Sequence, residues 1–396
     1  MERGKSRGVN MIDTEKGAIF PIEEGLREGL IDFVKQALEK ACFDAVLIPA
    51  RVPGSDSFAY LLIEDESLLK DAHPLCPIMP VQGAKAVSSL TGHGKGKKKI
   101  AALMRPCEVR ATVELFKLGQ VDLENIFLIS IDCPGALPLT DWVKDPEKAE
   151  DVFSEVLKGG ASDSLRPVCQ ICDKFSANGG EDLHIGISGA KNGSFFLVPG
   201  SPKGEDIVNK LGLPVGEDIS IWEHAVNSLT EERKEKRRQS LEELKSRSTG
   251  LDNLLDTFSK CINCHNCMRV CPICYCRQCF FDSDNIRFTC EDYLKRAEMM
   301  GGLRLPSETL LFHIGRMLHM SLSCVSCGAC EDACPTSIPV AQVFSLVGDE
   351  NQKAFDYIPG RSIDEPLPLR VYEEKEFEEV EQSYVKTSAK QEGKDA

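Results

Sequence analysis

Apolar and polar positions in the first part of the chain predict alternating helices and strands. Apolar residues recur at helical spacing from Gly25 to about Glu39, which is typical of one amphipathic helix. Two apolar runs follow, at Ala45–Ile48 and Phe58–Ile63, with a Pro-Gly-Ser-Asp turn between them. We therefore expect a helix followed by a hairpin or a tight pair of strands.

The next segment predicts a βαβ unit. An apolar strand at Ile100–Met104 is followed by a helix around Glu108–Leu118 and a second apolar strand at Ile126–Ile131. Strands joined in this way are parallel, with a right-handed crossover. Two more short strands are predicted at His184–Ile187 and Ser194–Val198, around a turn at 191–193. Residues 1–222 are therefore expected to form an α/β domain with parallel strands.

The second half of the chain has a different pattern. Residues 223–258 are highly charged, rich in helix formers and free of proline, which predicts a helical linker. Residues 259–347 contain most of the cysteines and a helical pattern at 307–320. Residues 348–396 form a C-terminal extension that becomes acidic and poor in apolar residues, and we expect disorder from about residue 372.

Composition narrows the class of protein. A chain of 396 residues with 42% hydrophobic content is typical of a globular protein with two or three domains. The net charge of −15 argues against nucleic acid as a partner, because phosphate binding requires a basic face. No apolar run reaches the roughly 20 residues of a membrane helix, and the N-terminus lacks the apolar core of a secretory leader. We expect a cytoplasmic protein without a membrane span.

The 18 cysteines change this picture most. In a reducing compartment thiols stay free, so clustered cysteines indicate metal sites. The chain contains two copies of the run C-x2-C-x2-C-x3-C-P. The first consists of Cys261, Cys264, Cys267 and Cys271, and the second of Cys324, Cys327, Cys330 and Cys334.

In ferredoxins with two clusters, each such run supplies three thiolates to one [4Fe-4S] cluster and its fourth thiolate to the other. We therefore predict a ferredoxin-like domain with two [4Fe-4S] clusters at 259–347. The first cluster would use Cys261, Cys264, Cys267 and Cys334, and the second Cys324, Cys327, Cys330 and Cys271. The alternative is zinc, but zinc needs only four thiolates per ion and does not explain two identical runs.

Four further cysteines lie between the two runs, at positions 274, 276, 279 and 290. They could hold another cluster, although their spacing matches no standard run. Buried free cysteines beside the clusters are the favoured interpretation, because free cysteine is among the most buried residue types.

A less obvious metal site is predicted in the α/β domain. Cys107 and Cys133 each follow one strand of the βαβ unit, so both thiols should emerge at the carboxyl edge of the sheet, where open α/β sheets bind ligands. Cys169 and Cys172 add a C-x2-C pair. These four cysteines predict a third [4Fe-4S] cluster, and the alternative is a redox-active C-x-x-C with two buried core cysteines.

Flavin contacts are predicted at the start of a helix-like stretch. Gln82, Gly83 and Lys85 precede that stretch, and a helix N-terminus suits the pyrophosphate of FAD. Arg105, at the end of the third predicted strand, is the fourth predicted flavin contact. The glycine- and lysine-rich segment 91–99 lacks the spacing of a phosphate-binding loop and is interpreted as a solvated loop.

Several motifs together resemble the beta-subunit family of coenzyme F420 hydrogenases and dehydrogenases, and formate dehydrogenase beta subunits in particular. These motifs are Lys98–Cys107, Arg166–Cys172, Cys261–Cys279, Ser323–Pro339 and Asp356–Gly360. The resemblance implies an FAD-containing iron–sulfur subunit that passes electrons between a catalytic partner and a deazaflavin. Where the family usually has Cys-Gly-Gly, this chain has Glu23-Glu24-Gly25, and the two acids would repel an anionic deazaflavin.

The predicted function is an iron–sulfur electron-transfer subunit of an anaerobic oxidoreductase complex, of formate dehydrogenase or hydrogenase beta type. Its expected partners are a catalytic alpha-type subunit and other electron-carrier subunits, with a flavin or another carrier as acceptor. One alternative is a stand-alone flavin-dependent reductase of F420 or a nicotinamide. Another is a scaffold stabilised by zinc.

Overall fold

The computed structural model describes residues 17–79, 81–160, 162–190, 193–286, 288–302 and 307–371. The predicted disorder from residue 372 and the first two residues of the turn at 191–193 lie outside these ranges. The chain divides into two units between Ile363 and Asp364, and all 18 cysteines lie in the first. No helix in the described ranges is long and apolar enough to cross a membrane.

The first unit contains a seven-stranded mixed sheet. Its strands are Ala18–Pro21 (β1), Ala45–Arg51 (β2), Phe58–Ile63 (β3), Ile100–Met104 (β4), Ile126–Ile131 (β5), Leu183–Gly186 (β6) and Ser194–Pro199 (β7). Their spatial order is β1-β7-β6-β5-β4-β2-β3. The central strands β2, β4, β5 and β6 are parallel neighbours, whereas β3, β7 and β1 pair antiparallel at the two sides. The predicted hairpin and the parallel βαβ pair are both present.

Helices cover both faces of this sheet and build the rest of the unit. The α-helices of the described chain are Leu26–Glu39 (α1), Gly83–Thr91 (α2), Pro106–Lys117 (α3), Leu139–Lys144 (α4), Pro146–Leu157 (α5), Pro167–Gln170 (α6), Pro202–Leu211 (α7), Ser220–Ser248 (α8), Leu251–Phe258 (α9), Asn266–Arg269 (α10), Cys290–Met300 (α11), Ser307–Met320 (α12), Ala329–Asp332 (α13) and Val340–Ala354 (α14).

Alternate residues of the central strands enter two different cores. Ala101 and Leu103 of β4 pack with residues of α1 and α7 on one face. Ala102 and Met104 pack with residues of α2 and α3 on the other. Because successive side chains of a strand point to opposite faces, a continuously apolar strand must be covered on both sides. The sheet is therefore a rigid centre, and its carboxyl edge is fixed from both faces.

The cysteine-rich segment has its own apolar core. Phe258, Phe281, Phe312 and Phe344 pack together with the thiols of both cysteine runs. Helix α14 packs against α8, α6, α12 and α13, so the segment lies against the charged helix and against the edge of the α/β part.

A short segment after α14 is docked on α3 by buried polar contacts. The buried carboxylate of Glu114 accepts hydrogen bonds from the Tyr357 hydroxyl and from the Gly360 backbone N–H, the latter at 2.8 Å. Arg110 donates from Nε to the carbonyl of Pro359 at 2.8 Å. Gly360 has φ +74°, and a Cβ at this position would overlap the Arg110 backbone. Only glycine fits here, since it both adopts this φ and leaves room for α3.

We expect Gly360→Ala to lower the free energy of unfolding by roughly 2–5 kcal/mol, since left-handed backbone costs about 1–2 kcal/mol and overpacking about 1–3 kcal/mol. Gly212 is a matched control, because it has φ +73° but nothing within 4 Å of its Cβ position. Gly212→Ala should therefore lower the free energy of unfolding only by the cost of the left-handed backbone. Urea midpoints of both variants, prepared without oxygen, measure the difference. Equal losses would show that α3 tolerates a side chain at Gly360.

Candidate cysteine-lined sites

The two cysteine runs adopt the same unusual backbone. Residues two and four positions after the first cysteine have positive φ in both, at Asn263 (53°) and His265 (59°) in the first run and at Ser326 (56°) and Gly328 (82°) in the second. Three of these residues are not glycine, and such strain persists only where the surroundings enforce it. This conformation also turns successive backbone N–H groups towards one side, which suits an anionic group.

The loop amides are directed at the sulfur atoms. Burial raises the pKa of the Cys261 thiol, while a hydrogen bond from the Asn263 backbone lowers it. Burial likewise raises the pKa of Cys324, and a hydrogen bond from the Ser326 backbone lowers it. The loops therefore favour thiolates at positions where burial alone would favour thiols. The strained residues are functional candidates that the cysteine spacing alone did not identify.

Four cysteines line one apolar cavity in the cysteine-rich segment, which we call the second-run cavity. Its cysteines are Cys271, Cys324, Cys327 and Cys330, and its apolar walls include Ile273, Met320 and Phe344. Its empty volume, including the opening to solvent, is about 360 Å³. Cys271 belongs to the first run in sequence but lies with three cysteines of the second, which is the exchange expected of ferredoxin-type runs.

The complementary set, which we call the first-run group, consists of Cys261, Cys264, Cys267 and Cys334. Burial, together with the charges of the other three members, raises the pKa of Cys267 to about 11 although Arg316 lowers it, so all four thiols lie near one another. Cys334 comes from the second run, and its sulfur accepts a hydrogen bond from the Ile338 backbone N–H at 3.4 Å.

The cysteines of the α/β part also meet at one cavity, which we call the sheet-edge cavity. Cys107, Cys133, Cys169 and Cys172 all line it. Met104 pairs with Ser130 in the parallel register of β4 and β5, so the residues that follow both strands emerge at the same edge. Cys327 of the second run lines this cavity as well as the second-run cavity. The two cavities are therefore neighbours that share one cysteine wall.

Three buried arginines line the sheet-edge cavity, namely Arg105, Arg166 and Arg233. Arg105 donates to the Cys133 sulfur at 3.3 Å and to the Gly135 carbonyl at 2.6 Å. Arg166 pairs with Asp332 at 2.9 Å, and its buried Nε has no hydrogen-bond partner in the described residues. Positive charge beside four thiols favours the thiolate forms that metal binding requires.

A buried polar network fixes the end of β5 just before Cys133. The Asp132 carboxylate accepts hydrogen bonds from His184 Nε2 and Trp222 Nε1, both at 2.9 Å, and from the Ser176 hydroxyl. Burial would raise the pKa of Asp132, but the hydrogen bonds of His184 and Ser176 outweigh it and lower the pKa to about 2. His184 is therefore a satisfied core histidine, and the backbone that carries Cys133 is firmly positioned.

The donor sets suit a multi-atom iron–sulfur group. All four members of each set are thiols, the ligand that iron–sulfur clusters use, and positively charged or backbone N–H donors surround them. In the described ranges no three Cys, His, Asp or Glu side chains are placed to hold a single metal ion. The residues at all three places fit the predicted [4Fe-4S] clusters in number, chemistry and grouping.

Several of the predicted flavin contacts already make hydrogen bonds within the protein. The Gly83 backbone N–H already donates to the buried carboxylate of Glu108 at 2.7 Å, and Gln82 caps α2 by accepting from the Ala84 backbone N–H at 2.7 Å. Lys85 is directed away, to the backbone carbonyl of Arg269. The positive end of α2 thus has an internal anion, and the flavin contacts at Gln82, Gly83, Lys85 and Arg105 stay a prediction.

The cysteines between the runs do not share one place. Cys274 lies against Cys271, and the Cys279 sulfur contacts the Met268 sulfur at 3.8 Å. Cys276 and Cys290 are exposed. The described geometry therefore gives no common site for these four thiols.

The sequence of this chain is similar to those of two known proteins. No family model matches the chain. The beta subunit of the F420-dependent formate dehydrogenase of Methanocaldococcus jannaschii is 29% identical over 306 residues, covering 68% of this chain and 76% of that protein. The beta subunit of F420-dependent formate dehydrogenase 1 of Methanococcus maripaludis is 27% identical over 372 residues, covering 84% of this chain and 90% of that protein.

A solved structure was also found, a chain of the F420-reducing [NiFe] hydrogenase complex from Methanosarcina barkeri. The match covers 60% of this chain and 93% of that chain, with a TM-score of 0.45 and 13% identity. Similarity at this level does not establish a shared fold.

Proposed function

We propose that this chain is the iron–sulfur electron-transfer subunit of an oxidoreductase complex. Its curated homologues are beta subunits of F420-dependent formate dehydrogenases. The homologues confirm the family resemblance predicted from the cysteine motifs. They also support a place in a multi-subunit oxidoreductase. The electron-transfer role itself rests on the cysteine-lined sites.

The exchanged cysteine is the observation that carries this proposal. Cys271 follows three cysteines of its own run along the chain, yet lines the second-run cavity with Cys324, Cys327 and Cys330. Cys334 makes the reverse exchange into the first-run group. We propose that each set holds one [4Fe-4S] cluster and that the four cysteines of the sheet-edge cavity hold a third. Such clusters supply one-electron transfer when bound.

The protein surroundings suit that role. Apolar side chains such as Met320 and Phe344 line the second-run cavity and exclude water, which makes nearby charges more effective. Cys327 lines two of the cavities, so the groups held there would be adjacent. The three sites would form one continuous series from the sheet edge into the cysteine-rich segment, which we propose is a ferredoxin-like domain.

The relatives suggest the partner. Their names describe F420-dependent formate dehydrogenases, so we propose a catalytic subunit of formate dehydrogenase or hydrogenase type as partner of this chain. Other electron-carrier subunits would complete the complex. The proposal includes no flavin step, because the Gly83 backbone N–H at the start of α2 already donates to the Glu108 carboxylate.

Anaerobic purification of the full chain tests the proposed function. We expect a brown protein with about twelve iron atoms and matching sulfide per chain, four for each of three clusters, whose colour bleaches with dithionite. A colourless protein with stoichiometric zinc would instead support the scaffold alternative and end the electron-transfer proposal. Tight flavin and F420 reduction by the isolated chain would support the stand-alone reductase.

A further inference from the structure

Helix α12 inserts an unusual set of side chains between the two cysteine runs. His313, Arg316 and Met320 recur at positions i, i+3 and i+7, so they share one face of the helix. All three are buried, and each has a nitrogen or sulfur atom within 3.8 Å of a cysteine sulfur. This helix face is therefore directed at the thiols rather than only at apolar neighbours.

Arg316 is the charged member of this face, and it is 2% exposed. It donates from Nη1 to the Cys267 sulfur at 3.2 Å and from Nη2 to the Cys267 carbonyl at 3.1 Å. The guanidinium also lies 4.7 Å from the ring centroid of Phe344, which is part of the wall of the second-run cavity. It thus contacts the first-run group on one side and the surroundings of the second-run cavity on the other.

The charge of Arg316 has no carboxylate partner in the described part of the chain. Its contacts there are to Cys267, to the Cys274 thiol, to the Met320 sulfur at 3.6 Å and to two aromatic rings. Burying an ion without a counter-charge costs several kcal/mol, so an unpaired guanidinium at such a place indicates an anion. Its buried Nε also lacks a hydrogen-bond partner among the described residues. An unsatisfied N–H donor beside cysteine sulfurs is the group that an anionic cluster would satisfy.

The electrostatic surroundings support this interpretation. Burial lowers the pKa of Arg316, but the charges of Cys274, Cys267, Cys271 and Cys330 outweigh that and raise it above its usual range. Those thiols include one from the first-run group and two that line the second-run cavity. The guanidinium is therefore close enough to act on both sets.

We propose that Arg316 is a positioning residue that sets the reduction potentials of both ferredoxin-type clusters, through its charge at both and its hydrogen bond to Cys267 at one. The inference rests on the proposed function. Adding one electron makes a cluster more negative, so a nearby positive charge stabilises the reduced form and raises the potential. No bond or proton moves at Arg316.

Potentiometric titration monitored by electron paramagnetic resonance tests this in the full chain. In Arg316→Gln we expect both clusters to be harder to reduce, with the equilibrium constant lowered at least tenfold at the first-run cluster, or 59 mV for one electron. In Arg316→Lys the charge remains but the forked contact to Cys267 is lost, so only the first-run cluster should shift. Arg269→Gln is the matched control, because Arg269 lies between Cys267 and Cys271 of the first run but its side chain is 59% exposed.

Unchanged potentials in Arg316→Gln with full iron content, or shifts equal to those of Arg269→Gln, would overturn the inference and leave the proposed function intact. A wild-type protein without iron would instead end the proposed function. If both Arg316 variants lose iron, wild-type protein with 15N-labelled arginine decides. The reduced ferredoxin-type clusters should then show a weak hyperfine coupling to arginine 15N in pulsed electron paramagnetic resonance spectra. The absence of this coupling would overturn the inference.

Discussion

Replacing Cys271 by alanine is expected to remove the cluster of the second run and to spare the cluster of the first. Cys271 lines the second-run cavity with Cys324, Cys327 and Cys330 although it follows Cys267 in the sequence. A [4Fe-4S] cluster held by three remaining thiolates loses iron readily, so iron content should fall by about four atoms per chain or by one on conversion to a three-iron form. Resonance spectra of the reduced protein would show which signal disappears.

The reciprocal variant and a neighbour provide the controls. Cys334→Ala should remove the other signal, since Cys334 lies with Cys261, Cys264 and Cys267. Cys274→Ala changes a thiol that touches Cys271 but does not line the second-run cavity, and it should retain both clusters. If Cys271→Ala and Cys267→Ala abolish the same signal, each run holds its own cluster and the exchange proposed here is wrong.

The sheet shows which elements local sequence pattern can predict. Strand β4 is five consecutive apolar residues and β5 is apolar at five of its six positions, and such runs require cover on both faces, so their position, pairing and direction follow from the pattern. The edge strand β1 was not predicted. It has four residues and pairs with β7, whose residues are about 175 positions away, and a run of four carries too little period-two signal to stand out.

The cysteine-lined sites also show what the sequence pattern can and cannot predict. Spacing predicted which cysteines belong together because the ligand chemistry fixes the spacing. It could not show that Glu108 would occupy the amide of Gly83, since that bond joins residues 25 positions apart on different helices. The sequence also indicated a helical segment at 307–320, yet the importance of Arg316 appears only when its burial and its lack of a carboxylate partner are known. A charged residue on the apolar face of a helix can be recognised in the sequence, but the residue that it pairs with cannot.

Replacing Cys172 by alanine is expected to remove the cluster of the sheet-edge cavity alone. Cys172 lines this cavity with Cys107, Cys133 and Cys169, and the cavity is separated from the second-run cavity by Cys327. Iron should fall by about four atoms per chain, while both ferredoxin-type signals persist. Cys42→Ala is the matched control, because Cys42 is a buried thiol of the same sheet domain in the core that α1 covers, away from the cavity.

The alternative interpretation of Cys169 and Cys172 makes the opposite prediction. If the two form a redox-active dithiol, Cys172→Ala keeps the iron content of the wild type and loses one pair of thiols that oxidant converts to a disulfide. Iron analysis together with a thiol count before and after oxidation separates the two cases. The surroundings favour the cluster, because Arg105 donates to the sulfur of Cys133 and Arg166 presents an unsatisfied buried Nε beside the same thiols. A simple dithiol would need neither cation.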